Sequence, residues 1–513
     1  MRIILIAIIF LVSTKSYSQE RFFEFLPGWR NLTIIEKGNK YLSIGNTSDG
    51  IGLNHYQFSD LNLGGSILEE WEFDLDSVQN IGSLYTNDYS SGSTGNIVTG
   101  LLRGETSDRF YGTFIKFTDD FQETIRFNSF NILPGNGTQI RSHIAINSNK
   151  FILGGFLQNT DFQVYSSLME SDSLGNIAWR KNYFCGNDCE LFPVHILQAA
   201  DKGYFFTCSE VHFDNTLSVI AKKTAIIKTD SLGNEQYHLH PGQPDLYAIR
   251  GWVLPTDDGN YITAYSDPML GVLDENPQVN PNETIWLYKF DLNGSVIFEI
   301  SLQNELPLIP GFDIGYPYTI YQMIYSNDGN IIITGHVNLY GFLLKVSPSG
   351  DFKWVRFYSP PQSEGNDAGG EFTRVYGVTP TSDGGYIMAG EYFSSPGNIY
   401  PEGIQTAIAV KVDEFGCLVA GCDTIVGIAE IPKVDLGLRV YPNPASETIN
   451  ISVSENIKVE RIRVYEVTGR VVLEKAINGL PLGEGGLRGI DVSHLKPGIV
   501  FARGGNGRWF SGS

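Results

Sequence analysis

The sequence predicts an all-β protein: a seven-bladed β-propeller-like repeat domain followed by a small C-terminal β-sandwich. Three observations predict it. Aromatic residues make up 12% of the chain and charged residues only 18%, with 56 glycines among 513 residues, a balance that favours many short strands and tight turns over helices. One motif recurs from Tyr41 to Cys422 at intervals of about 55 residues, the signature of a repeat architecture rather than of the roughly two to four separate domains that length alone suggests. Behind the repeats the texture changes to β-branched runs separated by Thr-Gly and Pro-Gly turns, as in a small sandwich.

The chain begins with Met1-Arg2, an unbroken apolar run from Ile3 to Val12, the polar Ser13-Thr14-Lys15, and the small-x-small triplet Ser16-Tyr17-Ser18 before Gln19. That order is a secretory signal peptide over residues 1–18, cut after Ser18. A membrane anchor would need roughly 18 or more apolar residues, and the run Ile3–Val12 is too short. No later segment is long and apolar enough to span a bilayer, so the mature chain is expected to lack a transmembrane segment. A formal charge of -21 argues against nucleic acid as a partner, since neutralising phosphates needs clustered Lys and Arg; the acidity serves solubility.

The repeat domain, residues 19–422, is built from a motif with two halves. The first is a turn followed by an apolar strand ending near Gly, as in Asn39-Lys40-Tyr41-Leu42-Ser43-Ile44-Gly45, Asp258-Gly259-Asn260-Tyr261-Ile262-Thr263-Ala264-Tyr265 and Asp383-Gly384-Gly385-Tyr386 to Gly390. The last residue of each such strand falls at 45, 100, 155, 208, 265, 335 and 390, which gives seven units with one longer interval. The second half is a strand ending in Lys-apolar-Asp, a turn with Gly, and an aromatic residue four positions later: Lys228-Thr229-Asp230 with Gly233 and Tyr237, Lys289-Phe290-Asp291 with Gly294 and Phe298, Lys345-Val346-Ser347 with Gly350 and Trp354. Asp-Gly and Asn-Gly supply the positive φ of tight hairpin turns, so each unit holds about four short strands. Such a sheet cannot bury both faces alone, and radial stacking solves the problem. Six or eight blades, or a row of separate sandwiches, are the alternative arrangements of the same strands.

The seventh unit lacks an aromatic fourth strand, because Cys417-Leu418-Val419-Ala420-Gly421-Cys422 follows Gly416. Arg21-Phe22-Phe23-Glu24-Phe25 resembles the missing strand and is expected to complete the ring from the other end of the domain, removing an exposed edge. The longest interval holds an insertion rich in Pro, Asn and acids from Asp267 to Glu283. It is the candidate binding loop, with Asp267, Asp274, Glu275 and Glu283 as its acids. Asp267, Asp274 and Glu275 are oxygen donors of the kind that hold Ca²⁺, but a solvated loop is the preferred reading of them.

Five cysteines in an exported chain permit disulfides and leave one over. Closeness in sequence pairs Cys185 with Cys189 and Cys417 with Cys422, leaving Cys208 free and buried. A metal site at Cys185–Cys189 would need a second such element.

After a linker over 423–438 comes Val440-Tyr441-Pro442-Asn443-Pro444-Ala445, then a strand at Ile449 to Val453, then Ile462-Arg463-Val464-Tyr465-Glu466-Val467-Thr468-Gly469-Arg470-Val471, and finally Ile490-Asp491-Val492-Ser493-His494-Leu495-Lys496-Pro497-Gly498. These three ordered motifs, with Tyr441, Pro442, Asn443, Pro444, Gly469, Asp491 and Gly498 at their centres, resemble the type IX secretion sorting domain of Bacteroidetes-type bacteria. The resemblance covers residues 439–513. It implies a module read by the type IX export machinery and cargo that ends up secreted or on the outer cell surface. The run after Phe501-Ala502-Arg503 departs from the apolar and basic terminal strand of that family, so this strand is expected to be missing or degraded.

No phosphate-cradling Gly loop, zinc-protease helix motif or nucleophile elbow occurs in the sequence. His238 and His240 alternate on one predicted strand and so face the same way, as a metal or an acid–base pair requires; with no third donor nearby in sequence they read as ordinary strand histidines. Asp172, Asp230, Asp291 and Asp413 recur at equivalent positions and read as turn caps. The recurring Trp179, Tyr237, Phe298 and Trp354 read as packing between sheets. Two function classes remain: a surface binding or adhesion module for a glycan or a surface protein, and a polysaccharide-active hydrolase or lyase with carboxylates meeting at the channel. The interchangeable look of the repeats favours binding without cofactor.

Overall fold

The computed structural model describes residues 21–422 apart from connections, chiefly 74–80, 91–95, 105–109, 118–123, 131–136, 159–163, 243–248, 267–283, 307–317, 361–370 and 396–403, and the strands alone between 439 and 511. The expected signal peptide, the candidate binding loop 267–283 and the linker therefore lie outside the described residues. The chain divides into two compact units, Met1–Glu430 and Ile431–Ser513. Among the described residues every regular element of either unit is a strand, and no helix is long and apolar enough to cross a membrane.

In the first unit, β1 (Phe22–Leu26) is followed by the meander β2 (Arg30–Lys37), β3 (Lys40–Ser48), β4 (Asn54–Asn62) and β5 (Ile67–Phe73). Next come β6 (Ile81–Ser90), β7 (Asn96–Gly104), β8 (Phe110–Phe117) and β9 (Thr124–Phe130), then β10 (Gly137–Asn147), β11 (Lys150–Gln158), β12 (Val164–Asp172) and β13 (Ile177–Tyr183). These two runs share one eight-stranded sheet, joined among the described residues by the parallel pair Gly137 and Phe110. Three four-stranded meanders follow: β14 (Cys189–Gln198), β15 (Tyr204–Phe213), β16 (Val219–Thr229), β17 (Glu235–Leu239); β18 (Ile249–Pro255), β19 (Tyr261–Ser266), β20 (Ile285–Phe290), β21 (Val296–Ser301); and β22 (Tyr318–Tyr325), β23 (Ile331–Val337), β24 (Tyr340–Val346), β25 (Phe352–Tyr358). The last sheet takes β26 (Glu371–Pro380), β27 (Tyr386–Ser394) and β28 (Ile404–Val412) from the end of the repeats and β1 from their beginning, in the order β1-β28-β27-β26.

The first strands of successive runs contact one another: β2 and β6, β6 and β10, β10 and β14, β14 and β18, β18 and β22, β22 and β26, and finally β26 and β2. The core accordingly lies between neighbouring sheets. One cluster joins Ile262, Ala264 and Leu287 to Ile331, Ile333 and Leu344, and another joins Phe22, Leu26, Ile34 and Tyr41 to Ile387, Ala389 and Ala409.

The recurring glycine is not the end of its strand, as its position in the motif suggested; β3 runs on to Ser48 and β27 to Ser394. Its role is opposite the first strand, which bulges there: Gly45 pairs with Asn31 just before the shift to Thr33, Gly335 with Ile320 before the shift to Gln322, and Gly390 with Val375 before the shift to Gly377. The bulge turns a carbonyl into the space a side chain would need. A Cβ on Gly335 would lie 1.8 Å from the Thr319 oxygen, and one on Gly390 would lie 2.0 Å from that of Arg374.

The two halves of the motif meet through an ion pair. The buried third-strand lysine reaches back to the aspartate of the turn before the second strand: Lys228 to Asp201 at 2.7 Å, Lys289 to Asp258 at 2.7 Å, Lys345 to Asp328 at 2.7 Å and Lys411 to Asp383 at 2.9 Å. Hydrogen bonds from lysine and turn donors outweigh the effect of burial and hold the Asp201 and Asp383 carboxyls below their usual range. The second-half aspartates cap their own turns: Asp230 accepts from Leu232 N (2.9 Å) and Asn234 N (2.8 Å), and Asp291 accepts from Asn293 N (2.9 Å) and Ser295 N (2.8 Å). The recurring aromatics pack between sheets. Trp179 covers Gly233, whose φ of 76° suits glycine, so closely that a Cβ there would lie 2.6 Å from the indole.

Closure is extensive. β1 pairs antiparallel with β28, from Phe22 opposite Lys411 to Leu26 opposite Ala407. Arg21 pairs with Asp413 at 2.8 Å, Thr406 Oγ1 donates to the Leu26 carbonyl at 3.0 Å, and Thr379 Oγ1 donates to the Ile34 carbonyl at 2.7 Å.

The second unit holds two antiparallel sheets. One contains β29 (Arg439–Tyr441), β30 (Thr448–Ser452) and β33 (Leu487–Asp491); the other contains β31 (Arg461–Tyr465), β32 (Val471–Ala476), β34 (Phe501–Arg503) and β35 (Trp509–Ser511). The terminal strand expected to be missing or degraded is present in short form: Trp509 to Ser511 pair with Arg503 to Phe501.

Candidate metal centre

The sheet β14–β17 gathers a cluster of imidazoles and carboxylate that sequence order hides. On β15 the alternation of side chains puts Cys208, Glu210 and His212 on one face, where the register sets Cys208 opposite Ala225 and Glu210 opposite Lys223 of β16. On β17 the same face receives His238, opposite Ile227, and His240 follows one residue beyond the strand. Ala225 is small, so groups on β15 and β17 can meet across the strand between them.

They do meet. Glu210 is buried, and its Oε2 accepts from His240 Nε2 at 2.8 Å while its Oε1 accepts from His212 Nε2 at 2.5 Å. His238 Nε2 lies 3.8 Å from Glu210 Oε2, and the His238 and His240 rings stack with centroids 4.5 Å apart. Burial alone would raise the Glu210 carboxyl, but the hydrogen bonds and charges of His240 and His212 outweigh it and hold the group at about 2. Burial first, and then the charge of His240, lower the pKa of His238, against the opposing pull of Glu210. The neutral, metal-binding form of His238 is thus the favoured one.

The segment after β17 is anchored to the next sheet. Gly242 N donates to Glu299 Oε1 at 2.9 Å, and Tyr265 OH donates to the same oxygen at 2.6 Å. Gly242 has a φ of 94°, and a Cβ there would lie 3.2 Å from the Tyr265 hydroxyl. The chain just beyond His240 is therefore held against the next sheet.

Of the cysteines, Cys185 and Cys189 form a disulfide with Cα atoms 5.6 Å apart, and so do Cys417 and Cys422 at the same separation. Cys189 Sγ stands 4.0 Å from His212 Nε2, but as a disulfide sulfur it supplies no thiolate ligand. Cys208 is free and buried, and burial pushes its thiol up to about 12, which leaves it unreactive. Glu210, supplied from another strand, stands beside the two histidines as the nearby donor that sequence order did not offer; His240 is exposed, as expected of a strand histidine, and His238 is half-buried. Asp267, Asp274, Glu275 and Glu283 lie outside the described residues. In the second unit Tyr441 ends β29 and Asp491 ends β33, opposite Thr448; Pro442, Asn443, Pro444, Gly469 and Gly498 lie outside the described residues.

No curated protein matches the sequence. Solved structures similar to this chain include a protein of unknown function from Dyadobacter fermentans DSM 18053, 9% identical, covering 76% of this chain and 98% of that chain with a TM-score of 0.39. A protein from Lactobacillus plantarum is 10% identical over 73% of this chain and 97% of that chain, with a TM-score of 0.42. An acylaminoacyl peptidase from Pyrococcus horikoshii is 10% identical over 75% of this chain and 52% of that chain, with a TM-score of 0.37. Residues 439–508 match the secretion system C-terminal sorting domain family. That tail is a type IX sorting domain, addressed to the type IX export machinery, and the protein that carries it is secreted or held at the outer cell surface.

Proposed function

We propose that this is an exported binding or adhesion protein of a Bacteroidetes-type bacterium. In this reading, signal peptide 1–18 starts export, residues 19–422 form a seven-bladed β-propeller, 423–438 is a linker, and 439–513 is the sorting module. The blade count follows from treating the eight-stranded sheet as two blades, since a single parallel pair joins its halves, and from the succession of first strands that returns from β26 to β2. The observation that carries the binding reading is the commitment of recurring carboxylates to the scaffold. Asp230, Asp291 and Asp413 cap turns, and Asp201, Asp258, Asp328 and Asp383 hold lysines. The repeated acids are thereby accounted for by folding, which leaves loops to carry recognition. The acid-rich insertion between β19 and β20 is the ligand-facing segment in this reading, and its ligand is a glycan or a surface protein.

Incubating the mature chain with a panel of polysaccharides, with retention and released product both recorded, tests this. Retention without product is expected, weakened at least about tenfold, or 1.4 kcal/mol, when Asp267, Asp274, Glu275 and Glu283 are replaced by their amides. Loss of retention on adding a Ca²⁺ chelator would place Ca²⁺ among the loop carboxylates. Product release would replace the binding reading with a hydrolase or lyase acting at the channel.

A further inference from the structure

We infer that Glu210, His238 and His240 form a three-ligand site for a divalent transition metal of the zinc class, with the fourth coordination position open to solvent. The inference is independent of the ligand proposed for the loop.

The donor atoms converge. One oxygen of Glu210 and one ring nitrogen from each of His238 and His240 all lie within 4.8 Å of one another. The separations of Glu210 Oε2 from His240 Nε2 and His238 Nε2, 2.8 and 3.8 Å, bracket the roughly 3.3 Å between two donors bound about 2.0 Å from a tetrahedral ion. Small rotations of the two rings bring all three to bonding distance.

The metal explains what hydrogen bonding leaves open. His240 and His212 satisfy the two oxygens of Glu210, but His238 Nε2 is buried and has no hydrogen-bond partner. A buried polar atom of that kind carries a cost. A neutral imidazole with its proton on Nδ1 presents at Nε2 a lone pair, which a cation satisfies and a carboxylate does not.

The surroundings fit an ion that exchanges with solvent. Glu210 lies at the floor of the cluster, and the His240 side chain is 41% exposed, so water or a ligand oxygen can take the remaining position, as in sites with three protein ligands. His212 holds the second carboxylate oxygen and orients Glu210 for single-oxygen binding, the outer-shell role that tunes a metal site. The donor set is two imidazoles and a carboxylate, which suits zinc and its transition-metal neighbours and disfavours Ca²⁺, an ion that takes oxygen donors.

The test uses the mature chain stripped with a chelator and titrated calorimetrically with Zn²⁺ alone, with metal content measured after dialysis. One zinc per chain is expected, unaffected by excess Ca²⁺. Glu210→Gln, His238→Ala and His240→Ala should each weaken binding by about 100-fold or more, and His212→Ala by about 10- to 100-fold. Because substitution of the buried Glu210 also perturbs folding, His240→Gln, at an exposed position, serves as the variant whose circular dichroism stays native while zinc is lost. Absence of zinc binding by the wild type, full binding by His240→Gln and His238→Ala, or displacement of zinc by Ca²⁺ would each overturn the inference.

Discussion

Replacing Phe22 and Leu26 together by Ala should destabilise the repeat unit by about 5 kcal/mol or more, from roughly 2–5 for each truncation of a buried side chain. That is comparable with the whole stability of a typical domain, about 5–15 kcal/mol. Both residues are almost fully buried, in a cluster shared with Ile34, Tyr41, Ile387 and Ala409. Both belong to a cluster that spans the first and last sheets, so the loss should be felt as opening of the closure rather than as a local cavity. β28, whose residues from Thr406 to Val412 are buried, would then present an apolar edge, and aggregation should accompany the loss. Phe25, 39% exposed on the same strand, is the internal control. Phe25→Ala should lower the unfolding free energy by no more than about 1 kcal/mol. Equal effects at Phe25 and at the Phe22 and Leu26 pair would contradict the closure.

The second large effect is asymmetric within one ion pair. The Lys411 side chain is 1% exposed and donates to both oxygens of Asp383 and to the Val412 carbonyl, whereas the Asp383 side chain is 28% exposed and also accepts from Thr381 and Gly385. Asp383→Ala leaves a buried ammonium without its counter-charge and should cost about 3–5 kcal/mol. Lys411→Met removes that charge while filling the same space. It leaves a carboxylate that water and two turn donors still solvate, and should cost no more than about 1–2 kcal/mol. Denaturant midpoints of the two variants check the order.

The same pair gives a pH dependence with a definite sign. The folded Asp383 pKa lies below the ordinary value, so the stability it contributes is fully present above the unfolded pKa, near 4, and is lost as the pH falls through the folded one. Asp201 adds in the same direction. The unfolding midpoint should therefore hold between about pH 5 and 7 and decline below about pH 4, with a shallower decline in Lys411→Met.

What could be read from the residues was whatever repeats or lies close in sequence. The spacing of Gly45, Gly335 and Gly390 marks the second strand of a meander because the bulged first strand tolerates little else there. Phe22 to Phe25 could be matched to a missing outer strand by its aromatic pattern, and cysteines four and five residues apart pair locally. What escaped was contact between strands distant in sequence. The Lys–Asp pairs join halves of the motif about 30 residues apart, as Lys289 and Asp258 show, so each half looked self-sufficient: the aspartate as a turn residue, the lysine as a strand residue. Glu210 and His240 are likewise 30 residues apart with β16 between them, and only the register of that strand brings them together. The sorting tail was legible for the opposite reason, since its signal is linear.

The central claim is that the repeats form one closed ring with β1 as the outer strand of the last sheet. Amide hydrogen exchange, followed by mass spectrometry on peptides covering residues 21–27 and 404–413, tests it most directly. The account predicts that both segments are protected and lose protection together in the Phe22→Ala, Leu26→Ala variant. Rapid exchange of 21–27 in the wild type, with 404–413 unchanged by the double substitution, would contradict it.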